Sequence, residues 1–130
     1  MLLFNNDHNS SQSQHLQLKI DNQIVNTEVA DSDYERAKGL SGRSMLGVNE
    51  GMFFIFDAPG LYNFWMKDMK FPIDIIWIDE TWEIVDLAEN IGPETYPTLF
   101  GSKTPVQYVL EMASGWVNKN NIKIGDHIRK

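Results

Sequence analysis

A chain of 130 residues and 15.0 kDa, 42% hydrophobic and 12% aromatic, is long enough to bury one core without disulfides or a structural metal, and too short for two ordinary domains. With 11 basic against 18 acidic residues and a net charge of -7, it lacks the concentrated basic footprint on which nucleic-acid binding draws. The absence of cysteine excludes disulfides, thiolate nucleophiles, iron–sulfur clusters and zinc sites built on sulfur.

Residues 1–15 hold Met1-Leu2-Leu3-Phe4 as their apolar cluster, followed by a low-complexity run of Asn, Ser and Gln. That cluster is too short for the core of a signal peptide, and no run of about eighteen apolar residues occurs anywhere. The sequence therefore predicts a flexible tail over 1–15, one β-rich domain over 16–130 and no membrane span. The default location is cytoplasmic, or exported if the N-terminus has been trimmed.

Leu16, Leu18 and Ile20 alternate with polar residues, Asp21-Asn22 supplies turn chemistry, and Ile24 to Ala30 resumes a strand. This predicts an opening hairpin. Ser32 stands three residues before Glu35, the spacing of a capping box, and Gly39 follows at a natural C-cap. The helix between them is about two turns long with Tyr34, Ala37 and Leu40 on one side, and must dock on a sheet to be stable.

Gly51 to Phe56 is a continuous apolar run of strand length, so both its faces should be covered. Asp57-Ala58-Pro59-Gly60 breaks it, and Leu61 to Met66 is expected as the next strand. Ile73 to Ile78, the turn Asp79-Glu80-Thr81 and Trp82 to Ala88 form the clearest hairpin. Ile91 to Thr104 is a long Pro- and Gly-containing loop of the kind that often binds or closes over ligands. Val106 to Met112 is a strand with one apolar face. Ser114 is placed to cap a helical turn through Asn120, and Ile122 to Ile128 closes the chain with short strands about a Gly-Asp turn. The sum is an α+β, mainly β domain: about seven short strands, one or two short helices, an antiparallel barrel-like sheet or sandwich.

Chemistry narrows by exclusion. The histidines are His8, His15 and His127, with no partner at ligand spacing, so no metal site is expected from them. An oxygen-ligand site remains open along the acidic stretch Asp68, Asp74, Asp79, Glu80, Glu83, Asp86, Glu89 and Glu94, though a solvated acidic surface is its first explanation. No Gly-x-Ser-x-Gly elbow or phosphate-cradling glycine loop occurs, and no cofactor is implied. Tyr62, Trp65, Trp77, Trp82 and Trp116 could offer stacking faces for a sugar, but aromatics in a small β domain are ordinarily core.

What remains is a set of charges beside apolar strands: Asp74, Glu111, Lys67, Arg36 and Arg43. Strand alternation puts Glu111 opposite Tyr108, Leu110 and Met112, so solvent exposure is its first explanation. Asp74 interrupts an apolar strand, and is either a structural hydrogen-bonding or ion-pair partner or part of a functional pocket.

The chain resembles the domain-of-unknown-function 192 family, a group of small β-rich bacterial and archaeal domains. The resemblance lies in Glu35-Arg36-Ala37-Lys38-Gly39-Leu40 with Arg43, in Glu50-Gly51-Met52-Phe53-Phe54-Ile55-Phe56, and in Phe64-Trp65-Met66-Lys67. It continues through Pro72-Ile73-Asp74, Ile78-Asp79, Glu89-Asn90, Tyr108-Val109-Leu110-Glu111 with Gly115, and Ile124-Gly125-Asp126. It implies a compact β fold and retains Arg36, Arg43, Glu50, Lys67, Asp74, Glu89 and Glu111, but brings no activity with it. Ser41-Gly42 and Asp68-Met69 depart from the residues common in relatives, and the 91–104 loop lacks the cysteines some of them carry.

Three expectations follow. The first is a non-enzymatic binding or interaction domain, with Arg36, Arg43 and Lys67 forming a small cationic pocket, walled by Trp65 and joined by Glu50, for a small anionic molecule or the carboxylate of a protein partner. The second is an acid–base hydrolase or transferase using Asp74 with Glu111 or Glu89, and Lys67 or Arg36 to stabilise developing charge. The third is that these charges form a purely structural network.

Overall fold

The computed structural model describes residues 14–130, so Met1 to Phe4, His8 and most of the expected tail lie outside the described residues. The opening hairpin is β1 (Gln14–Ile20) and β2 (Gln23–Ala30), turning at Asp21 in the left-handed region, φ 52°. Gln14 and His15, within the expected tail, are strand residues opposite Val29 and Glu28.

A short helix α1 (Asp33–Lys38) follows, with the expected capping box of Ser32 and Glu35. Then come β3 (Glu50–Gly60), a two-residue β4 (Asn63–Phe64), β5 (Ile73–Ile78) and β6 (Ile84–Ile91). The long loop holds a single 3-10 turn at Pro93–Thr95 and a two-residue β7 (Phe100–Gly101) that pairs with β4. β8 (Val106–Ala113), α2 (Trp116–Lys119) and β9 (Ile128–Arg129) complete the chain. The expected strand over Leu61 to Met66 is thus confined to Asn63–Phe64, and the closing strands over Ile122 to Ile128 to the pair Ile128–Arg129.

The main sheet has seven strands in the order β6-β5-β8-β3-β2-β1-β9. It curls into a half-barrel because the C-terminal segment reaches both edges. β9 pairs with β1, while the Ile128 amide donates to the Trp82 carbonyl at 2.9 Å and the Ile84 amide to the Asp126 carbonyl at 2.8 Å. One pair departs from the antiparallel expectation: β2 and β3 run parallel. A parallel neighbour needs a crossover of a dozen or more residues, and residues 31–49 supply it. That crossover carries α1 over the outer face of the sheet.

Two apolar layers result. Leu18, Ile20, Val25, Phe53, Ile76, Ile78, Leu110 and Met112 fill the concave side, joined by Trp116 and Val117 of α2. Met52, Phe54, Ile73, Ile75, Trp77 and Val109 face the other way and are covered by Leu40 and Met66. β3 is therefore buried on both faces, as its unbroken apolar run requires. Gly51 in β3 has no room for a side chain, since a Cβ there would lie 2.7 Å from the Glu111 carbonyl oxygen.

α1 docks differently from its apolar pattern. Tyr34 is 73% exposed and none of the helix's residues is buried. The anchor is Arg36 instead, whose guanidinium donates at 2.7 Å to the carbonyls of both Asp31 and Ile55. A six-residue helix is too short to present a full apolar stripe, and Leu40, just beyond it, supplies the buried side chain.

Candidate functional site

A cleft of about 580 Å³ lies between the outer face of the sheet, α1 and the connection from β3 to β5. Phe54, Ile73 and Glu111 contribute from the sheet, Arg36 to Ser41 from the helix and its end, and residues 61–65 and 67–69 from the connection. Its aromatic wall is built by mutual packing. Phe56 stacks on Tyr62 at 3.6 Å between centroids, and Phe64 meets Phe54 edge to face at 5.0 Å. The Trp77 indole fixes this wall from below by donating to the Tyr62 carbonyl at 3.2 Å.

Glu111 was expected to face solvent, and the structure corrects that. Alternation does put it opposite Leu110 and Met112, but the opposite face carries the second apolar layer, so Glu111 is only 5% exposed. Its neighbours across the sheet are Met52 and Ile75. Among the described residues no side chain or amide hydrogen-bonds its carboxyl, while no fully buried side-chain polar atom lacks a partner. The carboxyl therefore meets the cleft, which Glu111 lines. Burial, with no compensating cation or donor, pushes its pKa up from 4.5 to about 8.

Lys67 and Trp65 stand on the same cleft. Lys67 lies over the Trp65 ring with its ammonium 5.8 Å from the centroid, and makes no ion pair among the described residues. Trp65 is half exposed and leans on Tyr96 of the long loop, 5.1 Å between centroids. The loop expected to bind or close over a ligand thus braces the mouth of the cleft. Arg36 lines it too, but its guanidinium is occupied by two carbonyls and by Asp33 at 2.9 Å.

The other expected site residues lie elsewhere. Arg43 makes a two-pronged ion pair with Glu28, one arm at 2.9 Å, and Glu50 accepts from the Gly47 amide at 2.9 Å. Neither lines the cleft, and Glu89 is exposed outside it. Asp74 is fully buried on the concave side, where its carboxylate accepts from the amides of Asn90 at 2.8 Å, Gly115 at 3.1 Å and Val117 at 2.9 Å. Three amide donors satisfy that charge without a cation. Asp74 is opposite Met112 and Glu111 opposite Ile75, so the two carboxylates project from opposite faces of one sheet.

The helix cap expected of Ser114 is absent as well. Gly115 is the N-cap residue of α2 with no side-chain bond of its own, and Asp74 accepts from the helix amides instead. Of the other lining residues, Asn63 was not singled out by sequence, and Ser41, Asp68 and Met69 were noted there as departures from relatives or as acidic surface rather than as site residues. Their positions depend on the turns after α1 and β4, and no local pattern marks them. Of the aromatics weighed as stacking faces, Trp77 and Trp116 are buried, Trp82 packs on Tyr108 at 4.4 Å, and only Trp65 combines exposure with the cleft. Among the described residues, no group of three or more His, Asp or Glu could hold a metal ion, and no helix is long and apolar enough to cross a membrane.

The family model DUF192, described as "Uncharacterized ACR", matches residues 16–130. No curated protein matches the chain. The fold is similar to a protein of unknown function from Novosphingobium aromaticivorans DSM 12444, with a TM-score of 0.87 and 30% identity over 92% of this chain and 88% of that one. It is also similar to a protein of Sinorhizobium meliloti 1021 provisionally named a transcription regulator, with a TM-score of 0.82 and 26% identity over 91% of this chain and 93% of that one.

Proposed function

The chain belongs to the DUF192 family, whose model spans residues 16–130, and we propose that it is a non-enzymatic binding domain that holds a ligand by an anionic group in the cleft beneath α1. The observation that carries this reading is Lys67, a cation without an acidic partner among the described residues, set over Trp65 on an aromatic-walled cavity. Lys38 adds positive charge to the same lining against Asp68, while the Arg36 charge is shared with Asp33, in a chain whose net charge is -7. A volume of about 580 Å³ lies in the range of small-molecule sites.

Arg43 and Glu50 are not part of this reading, because each is engaged outside the cleft. An acid–base hydrolase is disfavoured because its two carboxylates must flank one reacting bond, whereas Asp74 and Glu111 project from opposite faces of the sheet. The regulator name of the Sinorhizobium neighbour would call for a broad basic surface, which a charge of -7 does not favour.

The test is an NMR titration of the labelled protein with hexanoate and hexyl phosphate as anionic probes and hexylamine as the cationic control. Amides of Gly39, Ser41, Lys67 and Asp68 should shift with an anion, and Lys67→Glu should weaken that binding about tenfold, the worth of one charge-assisted contact. Anions that leave these amides unmoved, or hexylamine binding as well as the anions, would overturn the reading.

A further inference from the structure

Glu111 is an unusual side chain to find lining a cleft. It is a buried acid set into the outer apolar layer, seated between Met52 and Ile75 in the middle of the sheet, and 95% of it is removed from solvent. An isolated carboxyl replaced by a methyl-bearing residue would satisfy this layer better, because burying a polar group without a partner opposes folding. Every other deeply buried polar side chain among the described residues has its hydrogen bonds: Thr27 donates to the Leu16 carbonyl at 2.6 Å and Asp74 accepts from three amides. Glu111 alone opens onto the cavity.

From this placement we infer that Glu111 is the specificity-determining group of the cleft, and that the ligand class is a carboxylate on an apolar body, whose oxygen receives the Glu111 hydrogen bond while its charge faces Lys67. The inference rests on the anion-binding reading above and names its ligand. Two features of the lining select the class. Phe54, Phe64, Ile73 and Met69 offer an apolar surface to the ligand body, and beside that layer the buried Glu111 presents a carboxyl where a phosphate or sulfate site would present several donors. A second carboxyl is the natural partner, since an acid and a carboxylate share one proton in a short, strong bond.

Burial in the apolar layer keeps Glu111 able to donate, because none of the charged groups on the elements packed around it pairs with it among the described residues. Those groups are Arg36 and Lys38 from α1, Lys67 and Asp68 from the β4–β5 connection, and Glu28 of β2, which is in register with Met52 and ion-paired with Arg43; β3 and β5 bring the apolar Met52, Phe54, Phe56, Ile73, Ile75 and Trp77 to that face. No cation pairs with Glu111 among the described residues, and burial raises its pKa to about 8, so near neutral pH it holds its proton. A carboxylate ligand then binds without placing two unscreened negative charges together.

The test uses the same probes across pH with two variants. The fraction of protein with Glu111 protonated falls about tenfold between about pH 7 and about pH 9, so hexanoate should bind the wild type about tenfold more weakly at the higher pH. Glu111→Gln keeps a neutral donor of the same shape and should bind with no such dependence. Glu111→Leu should lose the binding about tenfold at neutral pH, with its folding checked by the dispersion of the same spectra. A blocked tripeptide ending in leucine tells a free acid from a chain terminus: whichever binds more tightly identifies the source of the carboxylate. Hexanoate binding that depends on Lys67 but is equal in Glu111→Leu would overturn this inference and leave the anion-binding reading standing, as would hexyl phosphate binding where hexanoate does not. Hexylamine binding that strengthens with pH would overturn both.

Discussion

Asp74 holds the start of α2: its carboxylate accepts from the amide of Val117 at 2.9 Å, across 43 residues of sequence, and from the neighbouring Gly115 amide at 3.1 Å. One oxygen of β5 thereby does what an N-cap side chain ordinarily does, and favours the positive end of the helix at the same time. The other oxygen ties down β6 through the Asn90 amide.

Replacing Asp74 by alanine strips three amides of their acceptor in the core. We expect a loss of about 3 kcal/mol or more, the scale for hydrogen bonds to a buried charge. Urea unfolding should show a lower midpoint with an unchanged slope, and a loss below about 1 kcal/mol would contradict the structural role.

Glu111 makes stability depend on pH. Its folded pKa of about 8 lies above the ordinary 4.5, so the folded state retains a proton that the unfolded chain releases between those values. The contribution of Glu111 to stability is greatest below about 4.5 and falls as the pH rises toward about 8, by up to about 5 kcal/mol. Unfolding by urea at intervals across that window, in the wild type and in Glu111→Gln, isolates the contribution. The difference between the two should grow in favour of the variant as the pH rises, and parallel curves would disprove it.

Arg36→Lys tests whether the helix is anchored by the fork of the guanidinium. The carbonyls of Asp31 and Ile55 each receive a 2.7 Å bond from the same nitrogen, with Asp33 on the other. An ammonium cannot reproduce that planar geometry, so we expect a loss of about 1–2 kcal/mol despite the retained charge. Hydrogen exchange should quicken at α1 amides first, since the anchor acts locally.

Ser32→Ala removes one half of the capping box, the 3.1 Å bond from the Glu35 amide. The cost should be about 1 kcal/mol, read by chemical unfolding. Because α1 is one wall of the cleft, the same variant should broaden the amide signals of Arg36 to Ser41 in the absence of any ligand.

Most strands were legible from sequence because their cause is local. Alternation in β1 and β2, the unbroken run of β3 and the turn residues between β5 and β6 act within a few residues of themselves, and so does the Ser32–Glu35 cap. The elements that shrank, β4 and β9, are ones whose pairing partners among the described residues lie far along the chain.

The candidate site was legible only as a set of residue types. Sequence determined that Glu111 faces away from Leu110 and that Asp74 breaks an apolar strand, but alternation assigns a side without saying what lies on it. The tertiary structure decided that both sides of the sheet are covered: one by its own curl and α2, the other by α1, Leu40 and Met66. The same long-range packing gave Asp74 three amides and left Glu111 facing a cavity. Burial and hydrogen-bond partners come from segments tens of residues away, so two carboxylates that look alike in sequence become a structural fastener and a binding group.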